Sequence, residues 1–173
     1  VPTMTILELH SFAKGKWVAP AGNLRPIHSA VTGEHIANAG SDGLDFQGMV
    51  DFAISAGGPS LREMTFHQRA KKLKALALYL QERRDQLYAL SYMTGATLSD
   101  SKIDIDGGIG TLMVFASKGR REMPDGKVFL DSEVEQLSRK GSFVGQHICT
   151  PLLGVAVHIN AFNFPVWGML EKL

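Results

Sequence analysis

The sequence is short of several features that would define a class of function. Its 173 residues include one cysteine, which excludes an internal disulfide and a cluster of thiolate metal ligands. The six histidines are scattered, so we expect no metal site. Lys and Arg (18) balance Asp and Glu (17), which leaves no overall charge to attract nucleic acid or an anionic membrane. No apolar run approaches the roughly 20 residues of a membrane span. We expect a soluble, cytoplasmic protein that has neither nucleic acid nor membrane as a partner.

Turn residues divide the first forty positions into short segments that are typical of small antiparallel β structure. Lys14-Gly15 and Thr32-Gly33 predict the turns of two hairpins. From Leu44 to Ala56 the apolar residues recur at helical spacing, and we expect Gly57-Gly58-Pro59 to end that helix.

The clearest helix signal begins at Thr65. Thr65 and Gln68 have the spacing of a capping box, in which each side chain accepts a hydrogen bond from the backbone of the other residue. Apolar residues follow at steps of three and four. A polar stretch over residues 81–86 predicts a break, and Gly95 predicts the end of the helical region.

A third helix is predicted from about residue 99 to about residue 118. Gly107, Gly108 and Gly110 weaken this prediction, because each glycine costs about 1 kcal/mol in a helix interior. They favour a close contact between helices. A phosphate-binding loop is the less favoured alternative, since the Lys-Ser/Thr pair of such a loop is missing.

The β signal returns in the last third of the chain. Residues 127–130 and 143–150 are predicted strands, and residues 154–160 are almost continuously apolar, as in a parallel strand covered on both faces. A helix is predicted from Trp167. Ligands of doubly wound α/β folds bind where such strands end, so Asn163 in the intervening loop is a candidate site residue. The pattern alone favours a helix cap or a turn residue for Asn163 over a hydrogen-bond donor to a ligand.

The residues Asn163-Phe164-Pro165, which follow the predicted strand, resemble the Asn-Phe-Pro signature of the aldehyde dehydrogenase superfamily. Further segments resemble the aldehyde dehydrogenase domains of phenylacetate degradation; they are residues 63–66, 94–97, 104–112 and 158–165. The resemblance implies an α/β chain that forms the N-terminal part of a Rossmann-type fold, truncated, with small antiparallel β elements and long helices.

The same resemblance implies a division of the chain into three parts. Residues 4–126 correspond to the hairpins and helices of the cofactor-binding domain. Residues 127–152 correspond to oligomerisation strands, so a homo-oligomer is expected. Residues 153–173 correspond to the first strand, loop and helix of the dinucleotide-binding core.

Site residues follow from the resemblance as well. It gives Asn163 the role of a side-chain donor that stabilises the oxyanion, and such a donor is commonly worth about 3 to 4 kcal/mol of barrier. Asn160, Ala161, Phe162 and Asn163 form the loop expected to bind NADP or NAD. Residues 161 and 162 are Ala and Phe where the family signature has Pro and Trp.

Glu171 and Lys172 are expected to lie near the route by which protons leave the site. An ordinary ion pair on an exposed helix face is the equally supported alternative for these two residues.

The family's cysteine nucleophile and its glutamate base are expected beyond residue 173. Cys149 precedes the signature, so it is predicted to be an inert, partly buried thiol. The implied function of the parent is oxidation of an aldehyde, in particular a CoA-linked semialdehyde from aromatic catabolism, to its acid. The 173-residue chain alone should then be inactive. The alternative is a stand-alone, non-catalytic interaction or oligomerisation domain.

Overall fold

The computed structural model describes residues 6–173, so the first two residues of the predicted 4–126 unit lie outside it. The chain combines helices with small sheets, which confirms the α/β class. The helices are α1 (Phe46–Phe52), α2 (Gly58–Arg62), α3 (Phe66–Gln81), α4 (Arg84–Met93), α5 (Leu98–Arg121) and α6 (Pro165–Leu170). The strands are β1 (Leu7–Glu8), β2 (Ser11–Ala13), β3 (Lys16–Val18), β4 (Arg25–His28), β5 (His35–Ala39), β6 (Phe129–Leu130), β7 (Glu135–Gln136), β8 (Val144–Gly145) and β9 (Ile148–Cys149).

Both predicted N-terminal hairpins are confirmed. The antiparallel strands β2 and β3 pair around Lys14 and Gly15, and both turn residues have positive φ. In the second hairpin, β4 pairs with β5, and β1 adds to the other edge of β5 in parallel. The two turns were predictable because each contains a glycine, Gly15 or Gly33, which adopts positive φ without steric cost.

The predicted end of the first helix at Gly57-Gly58-Pro59 is wrong. Helix α1 continues into a π-helical segment, Ala53–Gly57, and then directly into α2. The Gly58 N–H donates to the carbonyl of Ala53, five residues earlier, so the helix widens rather than stops. Pro59, which has no N–H to donate, follows this wider turn directly and lies at the start of α2.

Helix α3 begins at Thr65 with the predicted capping box. The Thr65 side chain accepts from the Gln68 N–H, and the Gln68 side chain accepts from the Thr65 N–H. The predicted break is confirmed between Gln81 and Arg84, and α4 ends before Gly95, whose φ is 89°.

Helix α5 is the longest element and packs between α3 and α6. It extends the predicted helix at both ends, and its N-cap Thr97 accepts from the Asp100 N–H. The hydrophobic core lies where these three helices meet; its buried members are Ala77, Ile105, Ile109, Leu112 and Leu170. Because α6 contributes Leu170, the C-terminal helix is fixed to the same core as α3 and α5.

Residues 127–150 form two antiparallel ribbons, one inside the other. Strand β6 pairs with β9, and within the intervening segment β7 pairs with β8. Each of these four strands therefore has a partner within the chain. Cys149 lies on β9 and is exposed, which corrects the prediction that it is partly buried.

The predicted strand over residues 154–160 does not form. These residues make no strand pairing within the described part of the chain, and Ile159 is 89% exposed. The β-branched, apolar sequence favours an extended backbone, but a strand also needs a neighbour to accept its hydrogen bonds. Among residues 6–173, no helix is long and apolar enough to cross a membrane.

Candidate functional site: the loop before helix α6

Helix α6 begins at Pro165, two residues before the predicted start. Proline suits the first helical position because its φ is already helical and its missing N–H would have had no partner there. The N-cap residue, Phe164, makes no side-chain cap hydrogen bond. The candidate residues Asn160, Ala161, Phe162 and Asn163 lie in the loop that leads into this helix.

The first turn of α6 is capped by Asp104 from α5. Asp104 Oδ2 accepts from the Val166 N–H at 3.1 Å, and Oδ1 accepts from the Trp167 N–H at 2.7 Å. Asp104 is only 5% exposed. A carboxylate at a helix N-terminus satisfies free N–H groups and lies at the positive end of the helix dipole. The cap therefore comes from a residue 62 positions earlier rather than from the loop.

Two glycines of α5 let α6 approach closely. A Cβ on Gly108 would lie 2.9 Å from the Trp167 Cα, and one on Gly107 would overlap the Trp167 ring. The contact expected from these glycines is confirmed for both. Gly110 differs, since nothing lies within 4 Å of a Cβ built there.

Asn163 is exposed in a turn immediately before the N-cap of α6. The two N–H groups that a side chain of the loop would otherwise cap already donate to Asp104, so Asn163 is not the cap of this helix. Phe162 beside it is 90% exposed. Asn160 Oδ1 is buried and has no hydrogen-bond partner among the described residues. The loop thus holds one exposed amide and one buried, unpaired acceptor.

The other candidate residues gather at a shallow cavity of about 440 Å³. Its lining comprises Ala161, Phe164, Trp167, Gly168, Glu171 and Lys172. Lys172 Nζ donates to the Gly168 carbonyl at 2.8 Å and lies 3.9 Å from Glu171 Oε1. Both side chains are nearly half exposed, so this ion pair is weak. The structure therefore brings Ala161, Glu171 and Lys172 to one cavity, while Asn163 lies outside its lining.

Sequence reasoning missed Asp104 as a residue of this region. A signal was present, because Asp104 lies next to Ile105 and at helical spacing from Gly108, inside the apolar stripe of α5. A charged residue in such a stripe needs a buried partner. The identity of that partner, the backbone of α6, depends on the tertiary fold.

Residues 17–173 match the aldehyde dehydrogenase family. The chain belongs to this family. It is 38% identical, over 96% of its length, to the 3,4-dehydroadipyl-CoA semialdehyde dehydrogenase of Aromatoleum evansii. The match covers 32% of that relative, so the chain spans about a third of its length.

Solved structures of the family share the fold. A point mutant of betaine aldehyde dehydrogenase from Staphylococcus aureus, in complex with NAD+, superposes with a TM-score of 0.59 at 24% identity. The superposition covers 76% of this chain and 26% of that protein. A double mutant of the same enzyme, also with NAD+, gives a TM-score of 0.55 at 27% identity, over 65% and 23% of the two chains.

Proposed function

We propose that these residues belong to an NAD(P)-dependent aldehyde dehydrogenase that oxidises a CoA-linked semialdehyde of aromatic catabolism to its acid. The observation that carries the substrate class is the 38% identity to 3,4-dehydroadipyl-CoA semialdehyde dehydrogenase over nearly the whole chain. Membership of the family supports the reaction type, since its members are aldehyde dehydrogenases.

Asn163 is the proposed oxyanion donor. Its exposure supports this role, because an amide engaged in capping α6 would not be free to bind a substrate oxygen. A donor held in place before the reaction stabilises the negative charge that develops when a nucleophile attacks the aldehyde carbonyl.

The proposed cofactor-binding segment is Asn160, Ala161, Phe162 and Asn163. The unpaired acceptor Asn160 Oδ1 fits this role, since a buried carbonyl oxygen without a donor is costly and a ribose hydroxyl could supply one. NAD or NADP would accept the hydride. The protein's own part here is to bind and orient that group.

Glu171 and Lys172 are proposed to carry protons away from the site. Their support is the shared cavity with Ala161 and the exposure of both side chains, which lets them exchange protons with water. Their separation of 3.9 Å allows transfer between them through small movements.

The test uses the longer protein that contains these residues. We expect NAD(P)H to form with 3,4-dehydroadipyl-CoA semialdehyde at a kcat/KM at least about tenfold above that with hexanal, which lacks the CoA group. Equal efficiency with the two aldehydes would contradict the proposed substrate class. NADP+ and NAD+ are compared in the same assay.

Residues 1–173 alone serve as the second arm of this test. We expect no turnover, because the family chemistry needs a cysteine nucleophile beside a base. The single cysteine lies in the β6–β9 ribbon, whereas α6 packs on α5. NAD(P)H formation that Asn163→Ala abolishes in this short chain would contradict the expectation.

A further inference from the structure

We propose that Asp104 positions Asn163, by holding the first turn of α6 on α5 and thereby fixing the loop that precedes it. This inference rests on the proposed role of Asn163. Asp104 itself faces the backbone of α6, so it is a positioning residue and not a catalytic one.

Asp104 accepts from both free N–H groups that follow Pro165 in the first turn of α6. Pro165 has no N–H, and the next two N–H groups, of Val166 and Trp167, each donate to one oxygen of the Asp104 carboxylate. The N-cap residue Phe164 contributes no side-chain bond. No other side chain is needed, which leaves Asn163 free.

Helix α6 depends on its attachment to α5. A helix of six residues is too short to be stable alone in water. In addition to the hydrogen bonds to Asp104, Leu170 packs in the core and attaches α6 to α5. The absence of a side chain at Gly108 leaves room for the α6 backbone. The loop before it has little support of its own, since Ile159 and Phe162 are almost fully exposed. The orientation of Asn163 therefore depends on the contacts between α5 and α6.

Helix α5 offers a matched control in Asp106. Its carboxylate accepts from the Tyr88 hydroxyl of α4 at 2.7 Å and so faces away from α6. Asp106→Asn makes the same chemical change two residues from Asp104. A general loss of α5 stability would affect both variants, whereas loss of the α6 cap would affect Asp104→Asn alone.

The structural test is hydrogen–deuterium exchange in the longer protein. In the wild type, the Val166 and Trp167 amides should exchange more slowly than those of Phe162 and Asn163. In Asp104→Asn, which keeps one acceptor oxygen and loses the other, we expect the peptide over residues 163–170 to exchange at least about tenfold faster. Asp106→Asn should leave it unchanged. Exchange that is unchanged in Asp104→Asn, or unprotected amides in the wild type, would overturn the proposal.

The kinetic test is a double-mutant cycle with Asn163→Ala. Asp104→Asn should lower kcat on the order of tenfold or more, with cofactor affinity little changed, because a small displacement of a catalytic group has a large effect on rate. The double variant should be no slower than Asn163→Ala alone. A double variant whose kcat falls by the product of the two single losses would overturn the proposal. If Asn163→Ala leaves the rate unchanged, the oxyanion role fails, and the exchange experiment still decides whether Asp104 holds the loop.

Discussion

Asn163 combines exposure with a position directly before a capped helix, and both features bear on its substitution. In the longer protein we expect Asn163→Ala to lower the rate of acylation by roughly a hundredfold, as for loss of one oxyanion donor. The affinity for NAD(P) should change little, because the proposed cofactor contact of this loop involves Asn160 Oδ1 and not the side chain of Asn163. Rapid-mixing kinetics and cofactor titration measure the two quantities. Asn23→Ala, at another exposed asparagine, is the control. Normal turnover with lost cofactor binding would refute the assignment.

Tyr88 links α4 to α5 through its hydrogen bond to Asp106, and burial, together with this bond, raises the pKa of Tyr88 above 10.0. The neutral phenol is thus favoured in the folded state. Its contribution to stability is complete below pH 10 and is lost as the pH rises through the raised folded pKa. We expect Tyr88→Phe to lower the free energy of unfolding by about 1 kcal/mol at pH 8. That difference should shrink above pH 10.

Urea unfolding at a series of pH values measures this effect. Tyr92→Phe is the matched control, since Tyr92 lies on the same helix and is 58% exposed. If the difference in free energy of unfolding between wild type and Tyr88→Phe grew above pH 10, the expected direction of the change would be contradicted.

At the level of elements, the glycines of α5 provide a paired prediction. Gly108→Ala places a methyl group against the backbone of Trp167, so α6 must shift, and we expect a loss of roughly 1–3 kcal/mol. Gly110→Ala meets open space and adds helix propensity, so we expect a gain of up to about 1 kcal/mol. Thermal or urea unfolding of the two variants compares them directly. If both variants were destabilised to the same extent, close packing against α6 would not be the reason that position 108 needs glycine.

The elements that were predictable from sequence are those fixed by neighbours in the chain. The α3 capping box needs only Thr65 and Gln68, and the β2–β3 turn was marked by Gly15, which adopts positive φ readily. Predictions failed where distant contacts decide the structure. Residues 154–160 favour an extended backbone but have no neighbouring strand to pair with. The helix continues through Pro59 because a π-helical turn precedes it, with a hydrogen bond from the Gly58 N–H to the Ala53 carbonyl.

The residues of the candidate site also differ in whether the sequence alone could identify them. Asn163 and its loop could be selected from a short motif, since the motif is contiguous in sequence. Asp104 could not be assigned its role, because its partners lie 62 and 63 residues away and are backbone groups, which have no residue-type signature. The glycines at 107 and 108 indicated a close contact, but nothing in the sequence named Trp167 as the residue in contact.

At the scale of the whole molecule, the two ribbons over residues 127–150 leave strand edges unpaired. Each ribbon has two strands, and exposed edges pair readily with other chains. We expect the longer protein to form a homo-oligomer through these ribbons, with a mass by light scattering of at least two chains. Substitution of Val144 by proline removes a backbone donor from β8 and should weaken association, whereas Val134→Pro, outside the strands, should not. A monodisperse monomer would contradict this prediction.

The distant cap on α6 also bears on the order in which the chain can fold. A peptide that holds the loop and α6 alone lacks Asp104, and six residues that begin with proline have too few internal hydrogen bonds to nucleate a helix. Helix α5, by contrast, has its own cap in Thr97 and emerges from the ribosome first. We expect α5 to act as a template: its carboxylate is synthesised before the α6 backbone, and the loop that carries Asn163 takes its shape only after α5 has formed.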